Sequence, residues 1–347
     1  MAIDPDVALP WGSKKRVNRA GQAVRAGNAK KEDLDVIDTW REAHRQVLNT
    51  FQAILRNRSQ GSDVVVVQRH KRKNTIFGKL RRFPGMQLVR MDDVAGCRLI
   101  FPDIASLHEF RNNLHQARFR HRLRNDVDKY DYIKSPKDTG YRGIHDVYDY
   151  DVNSKKGAVA KGLLIELQYR TTAQHAWATA VEVVGFVTES QPKFQAGDKR
   201  YEEALAYASE IIARSAEGLT SCFPDATDAE IVQKFLELDE QLGLLRMLEG
   251  LNTVDGEISQ NKNIILIFND DSKNSNLQIE TYRSSPEALS ALFKLEQQFP
   301  GKDIVLVRAS SSEDVRNAFR NYFSDAREFV RLIEEGCANL SGKAINL

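Results

Sequence analysis

Cysteine is scarce in this chain of 347 residues: Cys97, Cys222 and Cys337 stand alone and far apart. They supply neither a disulfide framework nor the close pairs of a zinc site, and they point to a reducing compartment. Long hydrophobic runs are missing too. No apolar stretch reaches the roughly 18 residues a membrane helix needs, and none follows a basic segment near the N-terminus. A soluble, cytoplasmic protein without a membrane partner is expected. Neither a Walker loop nor a G-x-G-x-x-G is present, so any nucleotide is held in another way. Repeats and low-complexity tracts are absent. At 41% hydrophobic and 28% charged residues, the chain has the means to bury a core.

Charge is plentiful but unevenly placed. Residues 1–82 carry a net +10, residues 83–200 a net +3 and residues 201–347 a net −11. The basic first quarter suggests a polyanionic partner such as a nucleotide, RNA or DNA. The acidic last third reads either as a solvated surface or as a cover for the basic part.

Apolar spacing sets the elements. Trp40, His44, Val47, Leu48, Phe51 and Leu55 recur at 3–4 spacing, which predicts an amphipathic helix over 34–55. Residues 1–30 read as a basic arm with one short helix. Strands are expected at 64–68, 95–101, 117–123, 144–152 and 162–169, and helices at 74–82, 105–114 and from 171 to 184. Arg118, Arg120, Arg122 and Arg124 fall on one strand face. Residues 200–250 read as helical throughout. A break at 252–262 precedes strands at 264–268, 277–281 and 304–307, with helices near 286–298, 312–319 and 325–335. Strands and helices mix without a strict βαβ rhythm, so the expected class is α+β.

Four segments carry the chemistry. Residues 68–75, Gln-Arg-His-Lys-Arg-Lys-Asn-Thr, open a helix with a dense cation cluster suited to polyphosphate. Asp92 and Asp93 enter a strand ahead of Val94-Ala95-Gly96, where a carboxylate can hold a hard cation through oxygen. Residues 132–145 join a glycine-containing loop to Lys134, Lys137, Tyr141, Arg142 and His145; an exposed tyrosine can stack on a base while cations neutralise phosphates. Glu166, Gln168 and Arg170 share one face of a strand. Each has an ordinary counterpart: a solvated basic face, a turn aspartate, a hairpin loop, a polar sheet edge.

In this order the four segments resemble the RelA/SpoT-type alarmone synthetases, from about residue 34 to 184 and more loosely to 220. The resemblance implies a mixed-sheet, nucleotidyltransferase-like domain that transfers the pyrophosphate of ATP to a ribose 3′-hydroxyl, with Mg²⁺ as cofactor. It implies ATP binding by Arg69, Lys71, Lys79 and Arg98, with Arg69 and Arg98 on either side of the adenine. Asp93 and Glu166 would be the catalytic carboxylates and the Mg²⁺ ligands. Lys137, Tyr141, His145, Gln168 and Arg170 would bind the acceptor. Asp138-Thr139 stands where the family typically has Pro-Asn, and Tyr130 where a lysine is usual. Both departures fall on the acceptor side. The hydrolase half, with its His-Asp metal motif, has no counterpart in the sequence.

The synthetase-like part followed by a further domain, together with residues 321–329, also resembles the fused toxin–antitoxin synthetases of the CapRel kind. That likeness implies transfer to the 3′-terminal adenosine of tRNA, restraint by the C-terminal part, and release by a phage capsid-type protein. The implied division is a basic arm at 1–33, a pyrophosphokinase domain at 34–220, a helical connector at 221–261 and a regulatory domain at 262–347. Two other readings stay open: a synthetase using GDP or GTP, and an idle RNA- or nucleotide-binding module. Intact Asp93, Tyr141 and Glu166 argue against the idle one.

Overall fold

The computed structural model describes residues 9–71, 73–187, 197–250, 263–268, 277–282, 303–308 and 312–342, with a few single positions between 284 and 299. It divides into two compact units. The first comprises residues 1–134 and 143–172, the second residues 135–142 and 173–347.

The first unit is a five-stranded mixed sheet with helices, as the α+β expectation required. Its strands are β1 (Val65–His70), β2 (Ala95–Phe101), β3 (Arg122–Leu123), β4 (Ile144–Asp149) and β5 (Leu164–Thr171), in the order β1-β2-β5-β4-β3. Only the β2–β5 pair is parallel. Its helices are α1 (Lys14–Arg25), α2 (Lys31–Arg58), α3 (Lys73–Arg82), α4 (Ile104–His115) and the single turn α5 (Lys155–Ala158). Alternation along the strands gives the sheet two different faces. One face presents Cys97, Leu99, Phe101, Leu167, Tyr169 and Tyr148, all buried. Helix α2 covers it through Phe51, whose ring lies 5.7 Å from Tyr148, and α4 through Phe110, 5.4 Å from Phe101. The same face buries one charge: Asp146 accepts from Arg111 Nε at 3.0 Å and Nη2 at 2.7 Å, and lies 2.7 Å from His115 Nε2. Burial opposes ionisation of Asp146, but these partners hold its carboxyl below the usual range.

The basic N-terminal segment is built into this unit. Val17, Ala20, Gly21 and Val24 of α1 are buried. Arg16 pairs with Asp33 at 2.7 Å, and Arg25 donates to the carbonyls of Leu80, at 2.9 Å, and Met86. Two of the cations counted toward a polyanion site therefore hold α1 against its neighbours. The strand expected at 117–123 shrinks to β3. Arg118, Arg120, Arg122 and Arg124 keep their alternation and are all exposed, but only residues 122–123 pair with β4.

In the second unit the stretch expected to be helical throughout 200–250 holds α7 (Lys199–Glu217), α8 (Asp228–Leu242) and α9 (Leu244–Gly250), with non-helical residues at 218–227 and 243, and α6 (Thr172–Val187) leads in. Gly218 and Gly243 end α7 and α8 in the left-handed conformation, with φ of 64° and 61°. A small antiparallel sheet has the order β7-β6-β8, from β6 (Asn263–Phe268), β7 (Leu277–Tyr282) and β8 (Asp303–Arg308). The two helices expected at 312–319 and 325–335 are one continuous helix, α10 (Ser312–Ser341). No glycine or proline lies between residues 312 and 335, so nothing in the sequence breaks it. The helix expected near 286–298 falls mostly outside the described residues. Phe329, Ile333 and Cys337 of α10 join Ile211, Ile212, Ile231 and Phe235 in one buried cluster. Gly336 permits the close approach: a Cβ there would stand 2.5 Å from Ile211 Cγ2 and 2.8 Å from Ser215 Oγ. No described helix is long and apolar enough to cross a membrane.

Candidate active site

The opposite face of the five-stranded sheet gathers most of the residues singled out in the sequence. Register explains it. Arg69 of β1 pairs with Gly96 of β2, Gly96 with Glu166 of β5, Arg98 with Gln168, and Gln168 with His145 of β4. Cross-strand partners share a face, so Arg69, Arg98, Glu166, Gln168 and His145 line up across four strands, and alternation adds Arg170. Arg69 is exposed, whereas Arg170 is buried.

Two carboxylate centres are built on this frame. Asp93, in the turn before β2, accepts from Lys71 Nζ at 2.5 Å and Lys79 Nζ at 3.0 Å. Glu166 lies 2.8 Å from His145 Nδ1 and accepts from Gln168 Nε2 at 2.7 Å; Gln168 in turn accepts from Arg98 Nε at 3.4 Å. Burial works against the Glu166 carboxylate. The charge and hydrogen bond of His145, the Gln168 amide and the Lys79 charge nevertheless hold it down to about 2. Lys79 therefore acts on both centres. Asp92, 3.8 Å from Lys79, goes the other way: burial, then the charge of Glu166, raise its carboxyl. Burial lowers the Lys71 ammonium, and Asp93 opposes that shift.

The cations are held from beneath by α2. Arg41 Nε donates to the Lys71 carbonyl at 2.7 Å, His70 Nε2 lies 2.8 Å from the Arg41 carbonyl, and Lys73 pairs with Asp38 at 2.6 Å. The Lys71 amide completes the grip by donating to Val94 O at 2.9 Å. Sequence reading missed Arg41 and Asp38. Arg41 sits one turn from buried Ile37, on the flank of the apolar stripe, which is the one local sign that its charge faces protein.

Lys137 and Tyr141 belong to the second unit. Lys137 Nζ lies 5.1 Å from the centre of the Tyr141 ring, and the loop closes on itself through Gly140 N to Lys137 O at 2.8 Å and Lys137 N to Tyr141 O at 3.2 Å. Tyr130, where a lysine was usual, takes the Lys129 ammonium 5.1 Å above its ring.

Among the described residues, no three or more His, Cys, Asp or Glu side chains group as a metal-binding set. Asp93 and Glu166 are oxygen donors that share Lys79 as a neighbour. One or two carboxylates completed by substrate phosphates is the usual Mg²⁺ arrangement, so the donors fit that ion better than a closed protein cage.

Residues 68–184 match the family described as the region found in RelA / SpoT proteins. A GTP pyrophosphokinase, YjbM, from Bacillus subtilis is 33% identical over 116 residues, which are 33% of this chain and 52% of that protein. The match thus spans about half the length of that curated relative. The small alarmone synthetase 1 of Bacillus subtilis, solved with its product pppGpp, is 26% identical and covers 50% of this chain and 88% of its own, with a TM-score of 0.43. A GTP pyrophosphokinase family protein from Streptococcus pneumoniae is 25% identical, covering 48% and 84%, with a TM-score of 0.41. The sheet segment that carries Arg69, Asp93, Arg98, His145, Glu166 and Gln168 lies wholly inside the residues that match this region.

Proposed function

We propose that the chain is a pyrophosphokinase that transfers the β,γ-pyrophosphate of ATP to a ribose 3′-hydroxyl. The observation that carries this reading is the pairing of two carboxylate centres, Asp93 and Glu166, with the cations Arg69, Lys71, Lys79 and Arg98. Pyrophosphoryl transfer is mainly a matter of positioning and charge neutralisation, and this set supplies both.

Asp93 and Glu166 would hold Mg²⁺, which on binding neutralises β- and γ-phosphate oxygens. Arg69 and Arg98, diagonal neighbours on one sheet face, suit the two sides of an adenine. Lys71 and Lys79 hold the phosphates. The acceptor 3′-oxygen bonds the β-phosphorus, the bond from that phosphorus to the α-phosphate oxygen breaks, and AMP leaves. A carboxylate held at about 2 is a weak base, so Glu166 chiefly orients the hydroxyl, whose proton passes to the Glu166–His145 pair. Lys137 and Tyr141 suit the acceptor's phosphates and base, and Gln168 and Arg170 offer it further polar groups.

For the acceptor we propose the 3′-terminal adenosine of tRNA. The four exposed arginines at 118, 120, 122 and 124 support it, since four cations this close in sequence, beyond those at the carboxylate centres, exceed what a free nucleotide needs. The net −11 of residues 201–347 supports a C-terminal part that restrains the enzyme, with a phage protein as its release. The second reading, GDP or GTP as acceptor, is favoured by the likeness to a GTP pyrophosphokinase. Labelled ATP offered with deacylated tRNA, GDP and GTP side by side separates the two. Label on tRNA supports the first, and label on guanine nucleotides alone replaces it with the second.

A further inference from the structure

The acceptor-loop residues 135–142 are held by a buried polar web in their own unit. Arg142 and Glu217, at the end of α7, form an ion pair with side chains 2% and 4% exposed. Gln174 Nε2 donates to the other Glu217 oxygen at 3.1 Å, and Arg142 Nε donates to Ser209 Oγ at 3.3 Å. Ser209, itself buried, donates to Gly140 O at 2.6 Å and lies 3.0 Å from Ser221 Oγ. Gly140 has a φ of 84°, and a Cβ there would stand 2.8 Å from Ser209 Cβ and 3.0 Å from Ala206 Cα. Glycine is required on both counts: the backbone conformation disfavours other residues, and α7 comes too close.

A buried ion pair is a poor general stabiliser, because desolvation consumes most of its attraction. Its use here is geometric. It fixes the backbone on the C-terminal side of Tyr141, while Ser209 fixes the residue just before it. The Tyr141 ring is set 6.4 Å from Trp177 and the Lys137 ammonium over that ring. A tyrosine held at both flanking residues presents its face without the ordering cost that a free loop meets on binding.

We propose that Ser209 and Glu217 of α7, with Gln174 of α6, are positioning residues for the acceptor: they lock residues 137–142 so that Lys137 and Tyr141 are set before the acceptor arrives. This rests on the reading of those two side chains as acceptor-binding groups. None of the three positioning residues was picked out by the sequence, and Gln174 and Glu217 lie 43 positions apart.

The test uses the full chain and two variants, Ser209→Ala and Glu217→Gln, with two readouts. The first is the rate of tryptic cleavage after Lys137, an exposed lysine in the locked loop. The second is the separate KM for ATP and for the acceptor. Losing a buried partner frees the loop, so cleavage is expected to speed up about tenfold, and acceptor KM to rise about tenfold with ATP KM unchanged. Ser209→Ala removes a single hydroxyl and keeps the test open if Glu217→Gln fails to fold. Cleavage and acceptor KM at wild-type values in a cooperatively melting variant would overturn the proposal. So would equal rises in both KM values, which mark a general loss of structure. The cleavage assay needs no substrate: a wild-type chain that transfers nothing defeats the proposed activity, while unchanged cleavage defeats the anchoring.

Discussion

Glu166 shows how neighbours decide the state of a single group. Buried and alone it would hold its proton; with His145, Gln168 and Lys79 around it, its carboxyl stays down at about 2 against an ordinary 4.5. A depressed carboxylate contributes stability that is complete above 4.5 and is lost as pH falls through about 2. Chemical unfolding of wild-type and Glu166→Gln chains at pH 6 and pH 3 should therefore show the wild-type advantage shrinking at the lower pH. A constant difference would remove the assignment. Asp93 stands between two ammonium groups, and Asp93→Asn should cut transfer by about 100-fold or more through lost charge stabilisation, with a folded far-UV spectrum. Steady-state rates at saturating Mg²⁺ would check it. At this scale the sequence named residues that the fold brings onto one sheet face, Arg69, Arg98, His145, Glu166 and Gln168. It gave no sign that His145 would bond Glu166, because the partnership follows from β4 and β5 lying side by side.

Elements were legible where a strong period met a clear stop. The strand expected at 95–101 is β2 to the residue, and the helix expected at 74–82 ends at Arg82, two residues before Pro84. They were not legible where alternation outlasted pairing. Arg118 to Arg124 alternate like a strand, yet nothing in sequence says that pairing partners exist for only two residues. The single α10 was read as two helices, although no glycine or proline interrupts residues 312–335. Helix α2 carries two consequences. Arg41→Ala should loosen the Lys71 segment and raise KM for ATP by about tenfold, with a smaller effect on KM for the acceptor; equal effects on both would contradict the clamp. His44, buried in α2, is pushed down to about 3 by burial, and its Nδ1 lies 2.9 Å from Trp40 O. The unfolded chain takes up that proton near 6.5, so stability is lost as pH falls from about 6.5 toward 3. Urea midpoints at pH 7 and pH 4.5 should move less in His44→Gln than in wild type.

For the whole molecule, the charge asymmetry and the mixed α+β class were visible in composition and pattern, whereas the assignment of residues 135–142 to the second unit was not, since it depends on contacts with α7 far along the chain. Helix α10 is part of the buried cluster that includes α7 and α8. Phe329→Ala should cost about 3–5 kcal/mol by leaving a cavity there, read as a drop in urea midpoint. Removing the C-terminal region would open the same core, so its regulatory role is better probed with the intact chain. The most direct measurement incubates the full chain with Mg²⁺ and ATP labelled in parallel at the α- or γ-phosphate, with deacylated tRNA, GDP and GTP as acceptors. The account predicts γ-label on the acceptor and α-label recovered as AMP, lost together in Asp93→Asn. Recovery of the α-label as ADP, or no label on any acceptor, would contradict it.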